Sequence, residues 1–424
     1  MLKSVRFANY RCFRDRQGLD IRPVTVVLGK NNSGKSAFTR AAIVLQTGFP
    51  GGGGETAATP LDLERLGDTM PVFTDLVHRH DERGTIEVGL AFDDNRVQSI
   101  EAHVRNLDDA CLQVVSYLRL SMSHGTWTLT WTGSADVYEQ LWVANGGGQR
   151  STTGPISFQG LVPRYLPREI LDRDDGFDLA RHCAEAYGRI RYMSPFREAL
   201  RREHYLPVGV PGSVGDRGQH FAAVLAHDQV RGNGEIRRLV NEMMREVLPD
   251  WTLDEVPDGR LFTTVLRSRR DGELVVNVAD AGSGVVQLLP ILVQQALDSV
   301  TGRPERTLYI VEEPELHLHP AAHAQLADQY LNAARLTGNR FLIETHSEAL
   351  LLRLRRRIAE GTSTPDDVGI YFVHHDGRAS TARQIGIDEL GQLSYWPDGI
   401  FTEDFEEVRA LAAAQMRRSG LNVA

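Results

Sequence analysis

Residues Gly29-Lys30-Asn31-Asn32-Ser33-Gly34-Lys35-Ser36 match the pattern G-x-x-x-x-G-K-[ST] and constrain the fold more than any other stretch. The run before them, 23–28 (PVTVVL), is apolar and β-branched, as a buried strand is. The run after them, 36–46, carries apolar residues at helical spacing. In a strand–loop–helix of this kind, backbone N–H groups wrap the phosphates of a nucleotide, and the helix dipole favours their charge. The phosphate contacts are expected from Gly29, Asn31, Asn32, Ser33, Gly34, Lys35, Ser36 and Ala37, with ATP as the nucleotide. Lys35 is expected on the β- and γ-phosphates, where it serves catalysis as well as binding, and the Ser36 hydroxyl on Mg²⁺. Lysine usage points the same way. Lys+Arg total 47, yet lysine stands only at Lys3, Lys30 and Lys35, so two of three lysines lie in this loop. Where arginine is the default cation, a lysine marks a need for a compact point charge.

Three further segments carry chemistry. Leu308-Tyr309-Ile310-Val311-Glu312-Glu313-Pro314-Glu315 is an apolar strand ending in acids, as the Walker B element of a P-loop protein requires. The first carboxylate, Glu312, is assigned to magnesium; the second, Glu313, is placed to orient and deprotonate the attacking water. Most P-loop proteins put Asp in the first role. Glu is one methylene longer and can act through a water. Gly282-Ser283-Gly284 opens an apolar helix about 25 residues before that strand and offers a second anion site. Ser283 as a simple helix N-cap is the plainer alternative. Phe341-Leu342-Ile343-Glu344-Thr345-His346 is the next strand, and it ends in a histidine just before a helix. His317, His319 and His323 are read as a loop at a dimer seam, and His374 and His375 as ordinary surface, rather than as metal ligands.

Composition excludes several classes. The chain has 424 residues, 42% hydrophobic and 24% charged, which suits one or two globular domains. No apolar run approaches the roughly 20 residues that span a bilayer. The N-terminus lacks the apolar core of a signal peptide, so a cytoplasmic protein without membrane contact is expected. Cys12, Cys111 and Cys183 are far apart and form no CxxC pair, so neither a zinc site nor a disulfide framework is expected. A net charge of -9 argues against a surface coated in nucleic-acid-binding charge but leaves room for a local basic groove.

The chain is expected to be α/β with a mixed sheet. Residues 1–50 and 262–390 are read as the core of an ATPase domain spanning 1–390. The interval 51–261 is read as an insert, an antiparallel β-subdomain over about 85–160 followed by a helical lobe over 217–248 broken near 232–234. A hairpin of 261–266 with 274–278 is expected, and a C-terminal extension over 391–424. In the last third, helices 285–297, 321–334 and 348–358 alternate with strands 307–311, 340–343 and 368–373, which implies a largely parallel sheet with helices on its faces. The glycine run 51–54 is expected to be flexible, and 172–175 and 403–407 to be solvated acidic faces.

Together, GKNNSGKS, ADAGSG, IVEEPELHLHP and IETHSE resemble the OLD-like branch of ABC-type ATPases. That branch often shows EEPE-HLHP, which makes Glu312 expected there. The segments 191–197 (RYMSPFR), 214–218 and 396–401 (WPDGIF) resemble a sub-branch of AAA-type ATPases with a C-terminal domain of unknown function. The resemblance implies an ABC-type ATPase head. It makes Gly282, Ser283 and Gly284 a signature loop that touches the γ-phosphate held by a partner subunit, and His346 a switch histidine that senses it. It also implies a homodimer sandwiching ATP, open to higher assembly, and a role in DNA repair or in defence against phage and plasmids. No TOPRIM nuclease domain is expected, because the residues after Ser347 lack its acidic-strand pattern. The expected product is an ATPase switch that gates a separate effector protein, with nucleic acid as a candidate partner. A non-catalytic ATP-gated clamp or scaffold is the alternative; a transporter subunit fits less well, since LSGGQ is missing and the insert is long.

Overall fold

A computed structural model describes residues 1–51, 59–69, 71–107, 112–167, 170, 177–209, 211–301, 306–397, 409–411 and 414–415. Cys111, most of the 51–54 glycine run, the acids at 172–175 and 403–407, and most of the 391–424 extension lie outside them.

A six-stranded sheet runs in the order Arg189–Met193, Thr307–Glu312, Arg340–Glu344, Val24–Gly29, Val368–His375, Ser380–Gln384. The first five strands are parallel and the last pairs antiparallel, so the sheet is mixed. Val24–Gly29 and Thr307–Glu312 are buried along their whole length. That is the condition of a parallel strand covered on both faces, and it explains their continuous apolar runs.

Alternation along these strands feeds two cores. Val27, Leu308, Ile310, Leu342, Tyr371 and Val373 face the helix Lys35–Gln46 and a second, antiparallel sheet. Val26, Tyr309, Val311, Phe341, Ile343 and Ile370 face the helices Ser283–Val300, Pro320–Thr337 and Glu348–Ala359. Period-two alternation therefore sets which strand-tip carboxylates can meet the P-loop helix. Glu312 and Glu344 continue the first series.

The second sheet has eight antiparallel strands in the order Gln17–Asp20, Leu2–Ala8, Thr85–Phe92, Val97–Asn106, Gln113–Met122, Gly125–Trp131, Val137–Ala144, Gln149–Pro155. The antiparallel reading of 85–160 holds. The helices Phe221–Arg231 and Glu235–Val247 flank the expected break, where Gly234 has φ 74° and starts the second helix. The hairpin holds too: Val275–Asn277 pairs with Leu261–Ser268, which also pairs with Trp251–Asp258, a strand the sequence pattern did not reveal.

Sheet membership departs from the intervals drawn on the sequence. Leu2–Ala8 pairs with Thr85–Phe92 in the antiparallel sheet, though it lies within 1–50. Arg189–Met193 pairs in parallel with Thr307–Glu312 in the core sheet, though it lies within 51–261. Periodicity reveals which residues form a strand and which face is buried; it carries no information on which distant strand supplies the hydrogen bonds. Among the described residues no helix is long and apolar enough to cross a membrane.

Candidate functional site

The site is built on the C-terminal tips of the parallel strands, where helix N-termini converge. Gly34 has φ 100°, a conformation that favours glycine. A Cβ there would also stand 2.6 Å from Cys12 Sγ. Gly34 is the N-cap of helix Lys35–Gln46, and no side chain caps it. The first N–H groups of the helix thus face the loop, as an anion site requires. The loop is fixed from behind: Ser380 Oγ, buried, donates to Ser33 O at 2.7 Å. Asn31 and Asn32 are exposed on its outer side, and Asn32 has φ 61°.

Lys35 is buried beside two carboxylates. Its Nζ donates to Lys30 O at 3.0 Å and lies 4.0 Å from Glu344 Oε1. Burial lowers its pKa, while Glu344 and Glu313 oppose that shift. Ser36 Oγ donates to Glu344 Oε1 at 3.1 Å. Glu344 is 4% exposed, and burial first, then the charge of Glu312, pushes its carboxyl up to about 7.

The other carboxylates separate by environment. Glu312 is 1% exposed and gives both oxygens to Arg40, Nε to Oε1 and Nη2 to Oε2 at 2.6 Å each. Arg40 also lies over the Tyr192 ring, 5.3 Å from its centroid. Arg197, from the segment 191–197, is buried with its three guanidinium nitrogens unpartnered; Tyr330, Tyr192 and Glu312 are the charges and phenols acting on it. Glu313 begins the loop after the Walker B strand at φ 45°, held by its N–H donating to Glu344 O at 2.7 Å. Its Oε1 lies 3.8 Å from His346 Nε2. Glu315 is buried, and its Oε1 accepts from Thr345 Oγ1 at 2.6 Å and from His346 N at 2.7 Å. Glu315 thus orients the turn that carries His346. Burial lowers the pKa of His346, and Lys35 lowers it further.

The structure therefore brings Lys35, Ser36, Glu312, Glu313 and His346 to one end of the sheet. It also adds Glu344 and Arg40, to which the sequence reading gave no role. Glu344 was visible in IETHSE; Arg40 follows Ser36 by one helical turn, and that spacing was the available signal. Gly282, Ser283 and Gly284 sit at the start of helix Ser283–Val300, with Gly282 as N-cap. Gly282 and Ser283 are exposed, whereas Gly284 is buried against the loop after Walker B. His323 lies 3.0 Å from Ser347 Oγ and 3.1 Å from Leu318 O, and His319 caps helix Pro320–Thr337. These histidines hold local structure, and among the described residues no group of three or more His, Cys, Asp or Glu is arranged to hold a metal.

Three family models match the chain. Residues 1–99 match a family described as "AAA ATPase domain", residues 164–353 one described as "AAA domain, putative AbiEii toxin, Type IV TA system", and residues 364–411 a protein family of unknown function, DUF3696. The Old nuclease of Escherichia phage P2 is 22% identical over 382 residues, covering 82% of this chain; the chain spans 57% of that relative's length. Among solved structures, an SMC head bound to the C-winged helix domain of ScpA is 13% identical with a TM-score of 0.49, covering 92% of this chain and 98% of its own. The SMC head domain from Thermotoga maritima is 11% identical with a TM-score of 0.40, covering 91% and 99%. With a P-loop that sets Lys35 and Ser36 against strand-tip carboxylates, and AAA-type matches over four of the six strands of the core sheet, the chain is an ATPase that carries AAA-type ATPase domains and is similar to the OLD-like branch.

Proposed function

We propose that this ATPase works as a cytoplasmic homodimer that sandwiches ATP and switches a separate effector in DNA repair or in defence against phage or plasmids. The observation that carries the dimer is the exposure of Gly282 and Ser283 at an uncapped helix N-terminus, while Lys35 and Ser36 point into the chain's own P-loop. An anion site that faces outward suits a γ-phosphate presented by a second copy. The defence reading draws on the description of the 164–353 family and on the Old nuclease of the phage relative.

In this reading Lys35 leaves Lys30 O for the β- and γ-phosphates, and Glu313 takes the proton of the attacking water. His346, within 3.8 Å of Glu313, orients on the γ-phosphate. The donors around Ser36 are oxygens, which suit Mg²⁺, and one Glu344 oxygen has no hydrogen-bond partner. The metal, when bound with the nucleotide, would neutralise phosphate charge.

The test is steady-state phosphate release together with mass measurement in solution, with and without ATP. Turnover coupled to ATP-dependent dimerisation supports the switch. Dimerisation with no turnover supports the clamp instead, and a monomer under all nucleotide conditions refutes both.

A further inference from the structure

We infer that the divalent cation accompanying the nucleotide is held by Ser36 and Glu344, and that Arg40 withholds Glu312 from it. The inference rests on the magnesium–nucleotide reading above and names the carboxylate of that site. The usual expectation from a strand ending in acids is that its first carboxylate, here Glu312, serves the metal.

Sheet order comes first. Strand Arg340–Glu344 lies between the Walker B strand Thr307–Glu312 and the P-loop strand Val24–Gly29. Glu344 is in register with Glu312 on one side and with Val27 on the other. Glu344 is therefore one strand spacing, about 4.8 Å, nearer the P-loop than Glu312. Both carboxylates point to the face covered by helix Lys35–Gln46.

Helix spacing then sorts the two acids. Ser36 and Arg40 are four residues apart, so they share one side of the helix, one turn from each other. Ser36 Oγ reaches Glu344 Oε1 at 3.1 Å, and Arg40 reaches both oxygens of Glu312 at 2.6 Å. Both Glu312 oxygens are engaged by the Arg40 fork, and Arg197 adds a second buried positive charge acting on it, so a cation there would meet two guanidinium charges. Glu344 is the converse. Its Oε1 accepts from the hydroxyl, and its Oε2 is buried without a hydrogen-bond partner. A buried carboxylate oxygen of this kind needs a partner, and a hard cation seeking oxygen ligands supplies one. The ligand class is Mg²⁺ or Mn²⁺ bound together with a nucleoside triphosphate. Glu312 then serves as the anchor of Arg40, tying the P-loop helix to the Walker B strand.

The test reads metal binding directly, by electron paramagnetic resonance of Mn²⁺ in the presence of a non-hydrolysable ATP analogue. Nucleotide affinity is measured in parallel with Mg²⁺ or with EDTA. Glu344→Gln is expected to weaken Mn²⁺ binding roughly tenfold or more and to remove the gain in nucleotide affinity that Mg²⁺ gives, while affinity in EDTA is kept. Glu344→Asp keeps the charge, guards against a folding defect, and should lie between the two. The pair Arg40→Gln with Glu312→Gln neutralises the ion pair without orphaning either partner, and Mn²⁺ affinity should stay within about threefold. Wild-type Mn²⁺ affinity in Glu344→Gln, or its loss in the paired variant alone, overturns the assignment while leaving nucleotide binding intact. If the unmodified chain binds no nucleotide with or without metal, the parent reading falls, and this assignment with it.

Discussion

The Arg40 guanidinium clasps both carboxylate oxygens of Glu312, with two bonds of 2.6 Å, and so ties the helix behind the P-loop to the strand that leads into the proposed base, Glu313. The Glu312 side chain is 2% exposed and that of Arg40 38%. Removing Arg40 leaves a buried carboxylate without its counter-ion, whereas removing both charges does not. Arg40→Ala should therefore destabilise the fold by about 2–4 kcal/mol, less than a fully buried pair because Arg40 is partly solvated. Arg40→Met with Glu312→Leu should cost less than Arg40→Ala alone. Urea unfolding of the two variants decides it; equal losses would mean that the pair adds nothing beyond packing.

Lys35 has no substitute. The chain's other lysines are Lys3, in strand Leu2–Ala8 of the antiparallel sheet, and Lys30, exposed at the loop's start. Lys35→Ala should abolish ATP binding in a fluorescent-nucleotide titration. Unchanged affinity would refute the phosphate role assigned to it.

Glu313 and His346 face each other at 3.8 Å, one on the loop after Walker B and the other on the turn that Glu315 holds. Glu313→Gln keeps size and shape but removes the proposed base, so ATP should still bind while turnover falls by roughly 10²–10⁴. The ATP-bound dimer should accumulate. Glu315→Gln should act differently: it loosens the His346 turn, lowering turnover by a smaller factor without trapping the dimer. A Glu313→Gln enzyme that turns over at the wild-type rate would remove Glu313 from the mechanism.

The site was legible to the extent that it is local. A phosphate loop must have its glycines and lysine at fixed spacing, and a strand that ends in acids is written in consecutive residues. The pairings that decide the chemistry are not local. Arg40 and Glu312 are 272 positions apart, and Ser36 and Glu344 are 308 apart. Which acid meets which helical residue depends on sheet order, and sheet order placed Arg340–Glu344 between the two strands that carry the recognised motifs. The same limit explains why Leu2–Ala8 and Arg189–Met193 pair outside the intervals drawn around them. It also explains Glu315, which the sequence groups with its acidic neighbours and the fold turns toward Thr345.

Glu255 gives a pH dependence independent of the nucleotide site. It lies in strand Trp251–Asp258, is 3% exposed, and neither oxygen has a hydrogen-bond partner. Burial pushes its carboxyl from the usual 4.5 up to about 8; the nearby Thr264 hydroxyl opposes the shift and Asp254 adds to it. The folded state thus holds this proton more tightly than the unfolded chain. The stability it contributes is fully present below pH 4.5 and is lost as pH rises through about 8. Glu255→Gln cannot lose a proton, so its stability should fall less between pH 5 and pH 9 than that of the unmodified chain. Parallel pH profiles of unfolding by urea would show no difference if Glu255 ionises freely in the fold.

The signature loop yields the sharpest test of a shared site, once its glycines are told apart. A Cβ on Gly284 would stand 2.7 Å from His317 O and 2.9 Å from Leu318 Cδ2. Gly284→Asp would therefore push on the loop after Walker B of its own subunit, and a loss of activity would not distinguish a damaged loop from a lost partner contact. Gly282 is the better probe. It is exposed, has φ -57°, and a Cβ there meets nothing within 4 Å. Gly282→Asp should leave folding and single-subunit ATP binding unchanged and set a negative charge where the partner's γ-phosphate is proposed to arrive. ATP-dependent dimerisation and turnover should then be lost together. Mixed with Lys35→Ala, the heterodimer pairs one intact P-loop with one intact signature loop and should recover one working site. Mixing at equal concentration and following phosphate release reads this directly. Turnover that stays at the sum of the two separate variants would mean that each chain completes its own site, and the ATP sandwich would be refuted.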